Sequence, residues 1–190
     1  MTNPTTASGE RWRSALARWT IPDQVLDRAP ESPHLIPPRL FLPEHQTCSP
    51  AAIRFVRDAL EAGGTLLDIG CGCGASSLPF AGRTAKITGV DASDAMLAEF
   101  RAQASFRQVA HDVVHGRWPD VASEVAAHTV VTAHHVIYNV GEIEAFLLRL
   151  TDHARVRVVM EVTRTHPQSA LNPLWQHFHG IERPTEPTAA

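Results

Sequence analysis

Three glycines spaced two apart, Gly70, Gly72 and Gly74, close the short apolar run Thr65-Leu66-Leu67-Asp68-Ile69, and no other feature limits the fold of this chain as much. An apolar run of that length ending in glycines reads as a buried strand. Glycine tolerates left-handed backbone and lets the main chain come close to a ligand. A strand, a Gly-rich turn and a helix open an α/β nucleotide-binding unit, whose ligand lies beyond the carboxyl ends of the strands. The spacing predicts the start of that helix within residues 74–81.

The pattern then repeats. Ala85–Asp91, Asp112–His115, Thr129–Ala133 and Val156–Val162 read as further strands. Between them, Ser93-Asp94 caps a helix carrying Ala95, Met96, Leu97 and Phe100, and residues 142–151 place Ile143, Phe146, Leu147 and Leu150 on one side. Upstream, Ser49-Pro50 opens a helix with Ile53, Val56 and Leu60 as its stripe and Gly63-Gly64 as its stop. Strands alternating with helices predict an α/β fold: a Rossmann-like parallel sheet of five recognisable strands with helices on both faces.

Eight of the fourteen prolines fall in the first fifty residues, which excludes long regular elements there. Trp12, Leu16 and Trp19 still fall at helical spacing, and Pro22 can open a second short helix at its first position. The expected division is a Pro-rich helical cap segment over residues 1–48 and a Rossmann-like domain over 49–190. Beyond Val162, Leu171, Leu174, Trp175 and Phe178 form a last helical stripe, and Arg183-Pro184-Thr185-Glu186-Pro187 ends it.

The glycines alone do not choose a ligand, because Gly70-x-Gly72-x-x-Ala75 also meets the dinucleotide pattern. Asp68 tips the choice: a carboxylate at the strand end favours a cationic ligand and repels a pyrophosphate. Leu66-Leu67-Asp68-Ile69-Gly70-Cys71-Gly72-Cys73-Gly74 resembles motif I of class I S-adenosylmethionine-dependent methyltransferases. The resemblance implies S-adenosylmethionine as cofactor, with Asp68, Gly70, Cys71, Gly72 and Gly74 at the turn and Asp91 accepting both ribose hydroxyls. Ala92 and Met96 follow beside it. For the adenine the candidates are Asp112, Arg117 and Trp118, and Trp118 equally suits a core position. Taken singly, Asp68 also reads as a turn residue and Asp91 as a helix cap beside Ser93. Where the family commonly has Asp at the start of the fourth strand, this chain has His128.

Methyl transfer from a sulfonium asks the protein mainly for alignment. Where the acceptor carries a proton, His134, His135 and Tyr138 after the fourth strand are the candidates to take it, and strand alternation lets only some of them face the cofactor. The Asn/Asp-Pro-Pro-Tyr signature of amino-directed nucleic-acid and peptide methyltransferases is absent: the segment reads His134-His135-Val136-Ile137-Tyr138-Asn139. With a net charge of −3, this favours a small-molecule methyl acceptor over nucleic acid. The apolar runs are too short to span a membrane, and the N-terminus lacks a basic start followed by an apolar stretch, so a cytoplasmic protein is expected. Three cysteines do not make a disulfide framework, and eleven scattered histidines show no finger or H-E-x-x-H spacing, so no metal is expected.

The resemblance also implies a seven-stranded sheet, and no strand pattern follows Val162. The expectation is a C-terminally short form whose fifth strand is an exposed edge. The N-terminal segment, the tail or a second copy in a homodimer would cover that edge. Two other functions share these features, a non-catalytic S-adenosylmethionine-binding or assembly module and an NAD-dependent oxidoreductase.

Overall fold

The computed structural model describes residues 6–30, 37–44, 48–60 and 63–185. Among these, in chain order, are α1 (Ala7–Ala17), α2 (Asp23–Leu26), α3 (Pro50–Ala59), β1 (Gly64–Ile69), β2 (Thr84–Asp91), α4 (Asp94–Phe106), β3 (His111–His115), β4 (His128–His134), α5 (Ile143–His153), β5 (Ala154–Glu161) and α6 (Asn172–His179). They fall into two compact units, Pro37–Val136 with Ala145–Glu161, and Met1–Ile36 with Ile137–Glu144 and Val162–Ala190.

The first of these units holds the sheet, ordered β3-β2-β1-β4-β5 with every pairing parallel. Leu66 and Leu67, adjacent and so on opposite faces, are both fully buried, which is the mark of a sheet covered on both sides. One face packs Leu66, Ile87, Val130 and Val159 against Val56 of α3 and Leu97 and Phe100 of α4. Ser49 caps α3 by accepting from Ala52 N–H, and Ser93 caps α4 by accepting from Met96 N–H. Phe146 and Leu150 are the buried residues of α5.

The expected helix after the glycines is not formed. Within 74–81 there is only a short 3-10 turn, Leu78–Phe80. Gly74 sits at φ +91°, Pro79 lacks an N–H, and the hydroxyls of Ser76 and Ser77 turn back to Asp68 instead of capping a helix. Other boundaries differ by a few residues: Pro22 precedes α2 as its cap, α3 ends at Ala59, Gly64 opens β1, and α5 runs on to His153. β5 is an edge strand, with Val156 60% exposed. Arg155 and Arg157 flank that valine, charges of the kind that discourage edge-to-edge pairing, and Arg157 donates to the Phe55 carbonyl at 3.0 Å.

The second unit is an aromatic assembly. Trp12 Nε1 donates to the Val140 carbonyl at 2.7 Å, and Trp19 stacks on His166 with centroids 3.8 Å apart. Arg183 lies 5.2 Å from the Trp19 ring and 4.7 Å from that of Trp175, and donates to the carbonyls of Trp19 and Thr20. Residues 183–185 are described, whereas the Glu186-Pro187 part of the expected ending lies outside the described residues. Among the described residues no helix is long and apolar enough to cross a membrane.

Candidate functional site

The carboxyl ends of β1 and β2 are tied together by backbone geometry. Gly70, Gly72 and Gly74 have φ of +65°, +49° and +91°, a region where a side chain is strained. Gly70 N–H and Cys71 N–H both donate to the Val90 carbonyl, at 2.8 and 3.0 Å, bending the turn over β2. Asp91, the last residue of β2, accepts from Gly72 N–H and from Ser93 N–H, each at 2.9 Å. Its carboxylate oxygens have further lone pairs for a ligand hydroxyl. A Cβ on Gly70 would meet Val136 at 2.6 Å, whereas one on Gly72 would meet only Phe41, at 3.8 Å. Gly72 is therefore where the main chain lies open to a ligand.

Asp68 has a different place from the one its spacing suggests. It is fully buried, and its oxygens accept from Ser76, Ser77 and Thr132. Burial raises its pKa, opposed by those hydroxyls and by nearby His134. The carboxylate thus braces the turn from beneath. Cys71 and Cys73 are also buried, with Cys73 Sγ 3.2 Å from the Pro38 carbonyl and 3.7 Å from Met96 Sδ. Burial pushes the Cys73 thiol up to about 11 and Cys71 well above its ordinary value, so neither is a thiolate at neutral pH.

Residues 66–156, just under half of the chain, match the model of a methyltransferase domain. That segment, from β1 to the start of β5, is thus similar to a methyltransferase domain. A search of curated proteins found no match. Precorrin-8w decarboxylase from Methanobacterium thermoautotrophicum has a similar fold, with TM-score 0.54 and 14% identity over 70% of this chain and 73% of that one. A structure from work on the conversion of a disulfide bond into a thioacetal group during echinomycin biosynthesis gives TM-score 0.57 and 19% identity over 76% of this chain and 64% of that one. An S-adenosylmethionine-dependent methyltransferase from Clostridium acetobutylicum gives TM-score 0.44 and 14% identity over 54% of this chain, which spans 43% of its length.

Within the matched segment, Ala92 and Met96 stand with Asp91 where β2 passes into α4, Ala92 exposed and Met96 half-buried. Arg117 is exposed, in the turn after β3. Asp112 is not brought to them. It pairs with Lys86 and lies opposite Thr88, three residues back from the end of β3, which is about 10 Å along a strand. Trp118 is buried edge-on against His153, 4.8 Å between centroids, at the end of α5 where β5 begins, which is the amino end of the sheet. Tyr138 belongs to the other unit, its hydroxyl donating to the Thr163 carbonyl at 2.7 Å.

At the end of β4, His134 and His135 diverge, because the chain leaves extended geometry at His135. His135 is exposed, at φ +58°, with Nε2 3.6 Å from Glu161. His134 Nδ1 lies 3.2 Å from Cys48 Sγ, and burial lowers its pKa against the pull of Asp68 and Glu161. Cys48, His134 and Glu161 bring their ligand atoms within 4.8 Å of one another. Spacing does not reveal this group, because its members are separated by tens of residues. Only strand pairing, which sets His134 opposite Glu161, could have pointed to it.

Proposed function

We propose that the chain binds S-adenosylmethionine across the Gly70–Gly74 turn and transfers its methyl group to a small molecule. The observation that carries this reading is the Asp91 carboxylate bridging Gly72 and Ser93 at the ends of β1 and β2, beside the open α-carbon of Gly72. The residues present fit the cofactor. Asp91 would accept from the ribose hydroxyls, the Gly72 backbone would admit the ligand at van der Waals distance, and Met96 would offer an apolar contact.

The cofactor supplies an electrophilic methyl group on a good leaving group, so the chain's own contribution is alignment and exclusion of water. His135, exposed beside Glu161, is better placed than His134 to take an acceptor proton, since His134 already faces Cys48. The missing helix after Gly74 also bears on the choice of cofactor. Dinucleotide sites seat the pyrophosphate on a helix N-terminus, and here a 3-10 turn stands in its place. The net charge of −3 favours a small acceptor over nucleic acid.

The test is transfer of a labelled methyl group from S-adenosylmethionine into fractionated cell extract. Label in the low-molecular-weight fraction is expected. Label in bulk RNA or protein alone would overturn the assignment of the acceptor class.

A further inference from the structure

We propose that Cys48, His134 and Glu161 form a binding site for a divalent zinc ion. The three donors come from separate elements on one side of the sheet. Cys48 precedes the capping residue of α3, His134 ends β4 and Glu161 ends β5 directly opposite it. The sulfur and His134 Nδ1 are 3.2 Å apart, and all three ligand atoms lie within 4.8 Å of one another.

Zinc with bonds of about 2.0 to 2.3 Å in tetrahedral array sets its donors roughly 3.3 to 3.7 Å apart. The Cys48–His134 pair already has nearly that spacing, and a Glu161 carboxylate oxygen lies within 4.8 Å of both. That carboxylate is oriented for the purpose: Ser49 N–H donates to Oε2 at 3.0 Å, and His135 Nε2 faces Oε1 at 3.6 Å. Outer partners of this kind hold metal ligands in place.

The donor types select the ion. A thiolate with an imidazole suits zinc, whereas magnesium and calcium prefer oxygen alone. On binding, the Cys48 S–H bond breaks, its proton leaves to solvent and a sulfur–metal bond forms, with no change of oxidation state. His134 Nε2 is enclosed with no partner, so Glu161 does not orient the ring as the acid of a nucleophilic triad would. Three protein donors among the described residues leave a tetrahedral ion one position for an outside oxygen or nitrogen ligand, the arrangement of catalytic rather than structural zinc.

The test needs no methyl donor and so separates this inference from the cofactor reading. Chain stripped with a chelator is titrated with zinc and, separately, with cobalt. One zinc per chain is expected, and cobalt should show thiolate charge-transfer absorption in the near ultraviolet. Cys48→Ser should abolish that absorption, and His134→Ala and Glu161→Gln should each weaken zinc binding at least tenfold, while Cys73→Ser keeps the absorption. Circular dichroism checks that each variant folds, and Glu161→Gln carries the test if Cys48→Ser does not. Substoichiometric zinc at saturation, or cobalt absorption that survives Cys48→Ser, overturns the site and leaves Cys48 as a hydrogen-bond partner of His134.

Discussion

At the amino end of the sheet, Thr65 and Thr129 exchange bonds between backbone N–H and side-chain oxygen at 3.0 and 3.2 Å, and buried His128 bridges the Ala126 carbonyl and the Thr88 hydroxyl. At the carboxyl end stand glycines with positive φ, a left-handed His135, the half-exposed Asp91 and the Cys48-His134-Glu161 group. Both ends bury polar groups. At the amino end Thr65, Thr129 and His128 pair with fixed partners, which locks strand register. At the carboxyl end the main chain is open at Gly72 and the Asp91 carboxylate is half-exposed, as expected where a ligand and not register is served.

The contrast predicts unequal responses to substitution. The largest effect is expected for Gly74→Ala, which puts a Cβ at φ +91° against Leu78 and 3.1 Å from Phe100. Left-handed strain and overpacking together should cost about 2–5 kcal/mol, read as a lower denaturation midpoint. An unchanged midpoint would mean that the turn is not held as described. Next, Asp91→Ala should lower affinity for S-adenosylmethionine about 100-fold, since bonds to a charged group contribute about 1.5–3 kcal/mol each. Unchanged affinity in calorimetry would remove Asp91 from the ribose site.

The amino end should behave the other way. His128→Ala leaves the Thr88 hydroxyl and the Ala126 carbonyl without their partner and should cost about 1–3 kcal/mol of stability with little change in cofactor affinity. A large loss of affinity there would break the distinction between the two ends. The same variant carries a pH signature. Burial lowers the His128 pKa below its ordinary value of 6.5, with the Ala126 carbonyl opposing. Above 6.5 both folded and unfolded chains are neutral there. As pH falls below it the unfolded chain takes up the proton first, and stability is lost down to the lowered value. Denaturation at pH 7.5 and 5.5 should therefore show a smaller loss in His128→Ala than in the parent. The smallest effect is expected for Lys86→Ala, whose ion pair with Asp112 is 41% and 59% exposed and should be worth less than about 1 kcal/mol.

The strands and their order of appearance were legible because each is a short β-rich run bounded by turn residues, and a parallel sheet buries such runs on both faces. The helix expected after Gly74 was not, because it depends on how Ser76 and Ser77 divide between capping and bonding to Asp68, a tertiary competition. Asp68 shows the same limit. Its position in the motif was plain, but whether it faces a ligand or the core turns on Thr132, sixty-four residues away. Counting along the chain leads to Gly116-Arg117-Trp118, with Asp112 as the acid nearby, whereas the partner of Asp112 is Lys86 on the neighbouring strand. The Cys48-His134-Glu161 group left no local trace at all.

The central claim is that the glycine turn with Asp91 is a site for S-adenosylmethionine and not for a dinucleotide. Calorimetry of the chain with S-adenosylmethionine, S-adenosylhomocysteine and NAD measures it directly. Binding of the first two at one per chain, with no heat from NAD, is predicted, and binding of NAD alone would contradict the account.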